Sequence, residues 1–451
     1  MGDPNDAEVA DALTRLERIN PAAAEDAEAA LSWLTWNEGL GTLTQHRLQD
    51  FLWYELPTKW MNPWEDSCRP GIAEALGWLF DLLELPRYAG ICRSQATADV
   101  LAAYERGLSD GLRAFQDARQ RSGVVPPNLP AAAGQPALVW GSVMGLQEAT
   151  AYESTAAALE LAVASGDLRP GTRGWRGRQR QVALTHLTST CEPLTGETLL
   201  DAVIAERIGR WVSGRGESRR WLIARIANHL LHHVPAPPGA AEAVEPLRWL
   251  LQQIGDGVAL TQAYRLNRAF VVQAARSLGW YEEASPPRSE GDVPQLHELH
   301  ALARRLGAVR RTGRRLRLTA TGRELAAHPE ALWRAVASQL AAGHEFDAAV
   351  AELALAALID MESLALGDVP TLLVDALAGE GWRDRDTGEA LRPDAISRAL
   401  WALIRPAQVF GFLSLEGDRW AGQALALTAI GRAAGLVALR DRATAPMRDW
   451  R

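Results

Sequence analysis

Lysine is all but missing: Lys59 stands alone against 46 arginines. The chain uses arginine as its general cation, so an arginine at one position does not by itself signal bidentate chemistry. Cysteine is scarce as well. Cys68, Cys92 and Cys191 form no zinc spacing and no disulfide framework, which excludes a stapled secreted scaffold and fits a reducing compartment. No apolar run reaches the ~18 residues of a membrane helix; Ala348–Ile359 is interrupted by Glu352. No charged-then-apolar leader opens the sequence. We therefore expect a soluble, cytoplasmic protein with no membrane partner. Phosphate loops, dinucleotide-binding glycine fingerprints and nucleophile elbows are also missing. An enzymatic reading has no anchor, and no catalytic residue, metal or cofactor is expected.

What is present is apolar, helical in period and rich in tryptophan. A chain of 451 residues should hold about two to four domains, each with its own core. The 17 tryptophans read first as large core anchors. The net charge of −8 argues against indiscriminate nucleic-acid binding but not against a local basic patch. Acidity gathers at the start, where Asp3, Asp6, Glu8, Asp11, Glu17, Glu25, Asp26 and Glu28 face only Arg15 and Arg18.

Residues 1–122 read as a helical domain. Thr44 is placed to cap a helix carrying Leu48, Phe51, Leu52 and Leu56 on one face, with Pro57 as its stop. Ile72–Leu85 and Ala96–Phe115 give two further amphipathic helices. The residues Leu43, Thr44, Phe51, Leu52, Leu56 and Pro57, followed by Leu79, Phe80 and Leu83, resemble a group of uncharacterised actinobacterial proteins with helical and winged-helix parts. The resemblance covers about a quarter of the chain here and returns in the C-terminal half. It implies a fold and brings no catalytic residues with it. Residues 123–137 are a linker by composition. Residues 138–234 return to helix around an arginine-glycine loop, 169–180, that carries Arg169, Arg173, Arg176, Arg178 and Arg180 with no acid. That loop resembles a flexible nucleic-acid arm in which Trp175 could stack on a base; the plainer reading is a surface loop in an arginine-biased chain.

The C-terminal half is organised by an echo. Leu316-Arg317-Leu318-Thr319-Ala320-Thr321-Gly322-Arg323 returns as Leu425-Ala426-Leu427-Thr428-Ala429-Ile430-Gly431-Arg432, identical at six of eight positions. Each phrase follows a helix, a glycine stop (Gly307, Gly411) and a ribbon, and each is preceded by a Gly-Trp pair (Gly279-Trp280, Gly381-Trp382). Alternation of Leu316 and Leu318 with Arg317 marks a strand with one inward face. Thr319 and Thr428 are placed to cap the next helix. The pattern predicts a mainly α protein with tandem winged-helix domains at 245–343 and 344–445.

Arg304, Arg305, Arg310, Arg311, Arg314, Arg315, Arg317 and Arg323 fall in a stretch with no acid. In a winged helix this ribbon would reach phosphates while the preceding helix approaches the major groove. Only His297, Glu298 and His300 on that helix could read bases. The competing reading is a solvated basic face, or one paired with the acidic N-terminal helices. The second ribbon is near neutral (Arg405, Glu416, Asp418, Arg419, Arg432), so the copies should do different work. The expected partner is nucleic acid, DNA more than RNA; the alternative is an adaptor that docks partner proteins. His229, His232 and His233 have metal-compatible spacing but fit equally a helix end. Cys191 near His186 lacks an orienting group. His46, Glu38, Asp50 and Cys68 are too scattered in sequence to define a pocket.

Overall fold

In the computed structural model the chain is mainly helical, 65% helix against 7% strand, with small antiparallel sheets. The structure describes all residues except 1–5, 37–38, 61–68, 131–136, 193–195, 282–285, 385–386, 418–421 and 449–451. Glu38, Cys68, Asp418 and Arg419 thus lie outside the described residues, as does the side chain of Cys191. The chain forms two compact units, one running up to Val203 and the other spanning Ile204–Met447.

The first unit is built on helices. Asp6–Ile19, Pro21–Thr35, Arg69–Leu82, Gln95–Arg106 and Leu108–Ser122 surround the core of Leu48, Phe51, Leu52, Leu76, Leu79 and Phe80. Thr44 does cap its helix, accepting from the Arg47 N–H at 3.2 Å. Pro57 does not stop that helix where expected. Gln45–Asp50 runs into a π-helical turn, Phe51–Glu55, and then Leu56–Thr58. The wider turn passes over Pro57, which has no N–H to give to an α-helical ladder. The single helix expected over Ala96–Phe115 is broken at Gly107, whose φ of +144° no L side chain adopts readily. Two short strands, β1 (Thr190–Glu192) and β2 (Glu197–Thr198), pair here.

The tryptophans divide between core and surface. Trp53 and Trp333 are buried, but Trp36 and Trp221 are exposed and lie beneath Arg47 and Arg225.

The second unit contains the echo as two copies of one arrangement. In the first, helix Glu245–Ile254 leads to β3 (Val258–Ala259), helix Arg268–Ser277, helix Pro294–Arg305, the ribbon β4 (Val309–Thr312) and β5 (Arg315–Leu318), and helix Ala320–Ala327. In the second, helix Glu345–Met361 leads to β6 (Ser363–Ala365), helix Val369–Ala378, helix Pro393–Val409, the ribbon β7 (Leu413–Glu416) and β8 (Ala424–Leu427), and helix Ala429–Ala443. The sheets have the same order, β3-β5-β4 and β6-β8-β7. Glycines in left-handed conformation follow the helices at Gly279, Gly307, Gly381 and Gly411, where a side chain would be strained.

The repeated phrase is a lock made of small residues. Thr319 caps Gly322 N–H at 3.0 Å, and its hydroxyl donates to Gly307 O at 2.7 Å. Thr428 does the same with Gly431 N–H at 3.0 Å and Gly411 O at 2.7 Å. The threonine N–H groups bond Ala308 O and Phe412 O at 3.0 and 3.1 Å. A Cβ on Gly322 would lie 2.0 Å from Ala308 O, and one on Gly431 would lie 1.7 Å from Phe412 O. The helix therefore sits against the ribbon's backbone at a distance only glycine permits.

Helix Glu345–Met361 carries a fully buried carboxylate, Glu352. It accepts from Arg219 through Nε at 2.9 Å and Nη2 at 2.6 Å, from Arg442 Nε at 2.5 Å and from Trp211 Nε1 at 3.3 Å. Arg219 also reaches Glu380 at 2.6 Å. A buried charge persists only with such paired, hydrogen-bonded partners.

Candidate nucleic-acid interface

The first ribbon presents its charge through its register. Arg310 stands opposite Arg317, and Thr312 opposite Arg315. Directly opposed residues share a face in an antiparallel pair, so Arg310, Arg315 and Arg317 stand together on the outer face. Val309 and Leu316 take the inner face and are buried. Like charges directly opposite, as Arg310 and Arg317 are, destabilise a ladder, and nothing in the packing requires them here. Arg304, Arg305, Arg314 and Arg323 are also exposed. Gly313, at φ +58°, makes the tight turn at the ribbon's tip.

Arg311 departs from the expected stripe. Its register partner is Leu316, so it belongs to the opposite face, where its guanidinium lies 4.1 Å from the ring centroid of Tyr264. Tyr264 was not singled out in the sequence. The helix before the ribbon also offers fewer base-reading side chains than expected. His300 is buried and bonds Glu290 through Nδ1 at 2.9 Å, so it cannot reach a base edge. Glu290 in turn accepts from Leu266 N–H at 2.8 Å. Burial works to raise the Glu290 carboxyl pKa, but the His300 and Leu266 hydrogen bonds outweigh it and hold the group below the usual carboxylate range. His297 remains exposed and Glu298 half-buried. Helix Pro294–Arg305 also packs on its counterpart Pro393–Val409, which narrows its free face.

The second ribbon has the same fold with different chemistry. In matching register Ser414 stands for Arg310, Leu415 for Arg311, Ala424 for Arg315 and Ala426 for Arg317. The lock, the sheet order and the inward leucines are kept while the arginines are gone.

The 169–180 segment is not an arm throughout. From Trp175 it is helix, Trp175–Thr188, so Arg176, Arg178 and Arg180 are exposed on a helix while Arg173 remains in the loop before it. Gln179 anchors this helix by donating to Gly123 O and Val125 O, both at 2.9 Å. Trp175 packs against Leu159, Ala162 and Leu168. His186 bonds Ser154 at 2.7 Å. His229 lies in the short helix Ala227–Leu230, whereas His232 and His233 fall beyond its end, and His233 Nε2 meets Arg334 at 3.1 Å. Among the described residues no group of three or more potential ligands is arranged for a metal.

Sequence spacing gives no sign that His46 and Asp50 belong to a partly buried polar cluster with Arg119 and Tyr152. Arg119 donates to His46 Nε2 at 2.8 Å and to Tyr152 Oη at 2.9 Å. Asp50 lies 3.6 Å from His46 and 3.5 Å from Arg119. Burial pushes the His46 pKa down to about 4, and burial pushes that of Asp50 up to about 6 against the pull of Arg119. His46 is therefore neutral at pH 7, and since Nε2 accepts from Arg119, its ring proton is on Nδ1.

The structure thus defines a mainly helical chain with a duplicated helix-and-ribbon arrangement, one copy of which is strongly basic. Residues 243–331, which contain the basic copy, match the family model described as the Y4jL N-terminal domain. No curated protein matches the chain. No solved structure matches it either.

Proposed function

We propose that the two copies are tandem winged-helix domains, 245–343 and 344–445, and that the first binds DNA phosphates through its ribbon. In this reading the protein is non-enzymatic and works in the cytoplasm. The observation that carries it is the contrast between copies. Arg310, Arg315 and Arg317 crowd one exposed face, and among the described residues none of them forms an ion pair with an acid. The sister ribbon keeps the same lock and register with Ser414, Ala424 and Ala426 in their places. The fold does not need the arginines, and their mutual repulsion is relieved when phosphates cover them. Arg304 on the preceding helix and Arg314 at the tip extend the basic surface. The second ribbon, with Glu416 on its outer face, suits protein contact better than a polyanion.

The test is fluorescence anisotropy of labelled duplex DNA, titrated with protein over a range of salt. The variant carries the sister residues Arg310→Ser, Arg315→Ala and Arg317→Ala. Counterion release gives a log–log slope of about −0.9 per phosphate. The wild type should show roughly −3 to −5, and the variant should lose about three of those contacts. Equal binding by the variant, or none by the wild type at low salt, defeats the proposal.

A further inference from the structure

We infer that Tyr264 and Arg311 form a stacking platform for an unpaired nucleic-acid base beside the basic ribbon, an inference that rests on the DNA-binding reading above. Tyr264 is half exposed, at 50%, in the turn that follows β3. Its φ of +56° is costly for a bulky aromatic residue, where glycine or asparagine would be relaxed. The conformation is enforced from both sides of the turn. Tyr264 N–H bonds Thr261 O at 3.0 Å, and Thr261 N–H bonds Arg265 O at 2.8 Å. Leu260 N–H bonds Arg314 O at 2.8 Å, which joins the turn to the ribbon's tip. Leu266 is held by the buried Glu290, itself fixed by His300.

These contacts place an aromatic ring in solvent with a guanidinium 4.1 Å from its centroid. Tyr264 is not a core residue, and its ring is not needed to close the turn, since the bonds that close it are made by backbone groups and by the Thr261 and Glu290 side chains. An aromatic ring set among cations is the arrangement that receives a base while neighbouring charges take the phosphates. No acid occurs from Val258 to Leu266, nor from Leu299 to Arg323, and Arg265 on the same loop and Arg268 at the start of the following helix are exposed. The second copy has leucine at the position of Arg311, so it lacks the cation half of the pair.

The platform needs an unpaired base, because a base stacked within a duplex offers no free face. The experiment compares a labelled oligothymidylate of about 12 nucleotides with an abasic deoxyribose-phosphate oligomer of equal length and charge. Blunt duplex DNA is titrated in parallel. Base stacking on an aromatic side chain is worth roughly five- to hundred-fold in affinity. The wild type should prefer the oligothymidylate to the abasic oligomer by a factor in that range. Tyr264→Asn keeps a residue that tolerates the turn but removes the ring, and it should bind both oligomers at the abasic level while holding the duplex like wild type. Tyr264→Phe should restore the preference. A wild type without preference for bases, or a Tyr264→Asn protein that keeps it, overturns the platform and leaves duplex binding standing. A wild type that binds none of the three probes overturns the DNA-binding reading and this inference with it.

Discussion

Replacing Gly322 or Gly431 with alanine sets helix propensity against sterics, and the structure decides between them. Alanine in a helix interior is favoured over glycine by about 1 kcal/mol. Against that, the new methyl would stand 2.0 Å from Ala308 O or 1.7 Å from Phe412 O. A comfortable carbon-to-oxygen approach is about 3.3–3.6 Å, so the helix start must withdraw by roughly 1.5 Å. That withdrawal stretches the threonine N–H bonds to the same carbonyls, at 3.0 and 3.1 Å, each worth about 1 kcal/mol. Overpacking adds about 1–3 kcal/mol. The expected net loss, after the propensity gain is subtracted, is about 1–3 kcal/mol for each variant, a fall in Tm on the order of 2–12 °C for a unit of this size. Gly435→Ala is the control on the same helix as Gly431. Its Cβ would meet Leu355 and Ile359 at ordinary contact, 3.4 and 3.5 Å, so it should be neutral or stabilising. Thermal and urea unfolding read all three. If Gly322→Ala and Gly431→Ala melt at or above wild type, propensity has won and the lock is not a lock.

Other outcomes follow from the polar sites. Asp50, raised from 3.8 to about 6, binds its proton more readily when folded, so its contribution to stability is lost as pH rises from about 4 to 6. His46, lowered from 6.5 to about 4, has the opposite sign: its contribution is lost as pH falls from about 6.5 to 4. Asp50→Asn should therefore make stability climb more steeply with pH than in wild type, and His46→Gln should make it fall; parallel profiles of Tm against pH for all three proteins would contradict the assignment. Glu352→Gln removes the fully buried carboxylate shared by Arg219 and Arg442, leaving Arg219 with Glu380, and should cost about 3–5 kcal/mol, measured by urea unfolding; a loss under about 1 kcal/mol would mean the remaining partners suffice. Thr319→Ala and Thr428→Ala each remove a helix cap and should cost about 1–2 kcal/mol, with equal effects in the two copies if the two locks are energetically alike.

Local stereochemistry was the most legible part of the sequence. Thr44, Thr319 and Thr428 could be placed as caps because a cap and its helix are neighbours in the chain, and the repeated phrase announced two ribbons of one design. The break at Gly107 was missed because apolar spacing ran on either side of it and a positive φ leaves no mark on periodicity. The polar cluster was illegible for a different reason: Arg119 meets a histidine 73 positions away, and single-sequence reading has no term for such pairings. Arginine exposure followed from composition, but which face each one occupies depended on register. Successive residues of β4 point to opposite faces, which sends Arg311 to Tyr264 and Arg310 outward.

The lock between ribbon and helix has a practical corollary. It is made of two threonines, two glycines and backbone oxygens, none of which contributes to the ribbon's outer surface. That surface can therefore be rewritten without disturbing its foundation. Ser414→Arg, Ala424→Arg and Ala426→Arg would move the basic pattern of the first ribbon onto the second at positions already held in matching register. The duplication supplies a chassis on which one chain carries two ribbon surfaces of different charge, and either can be exchanged for the other.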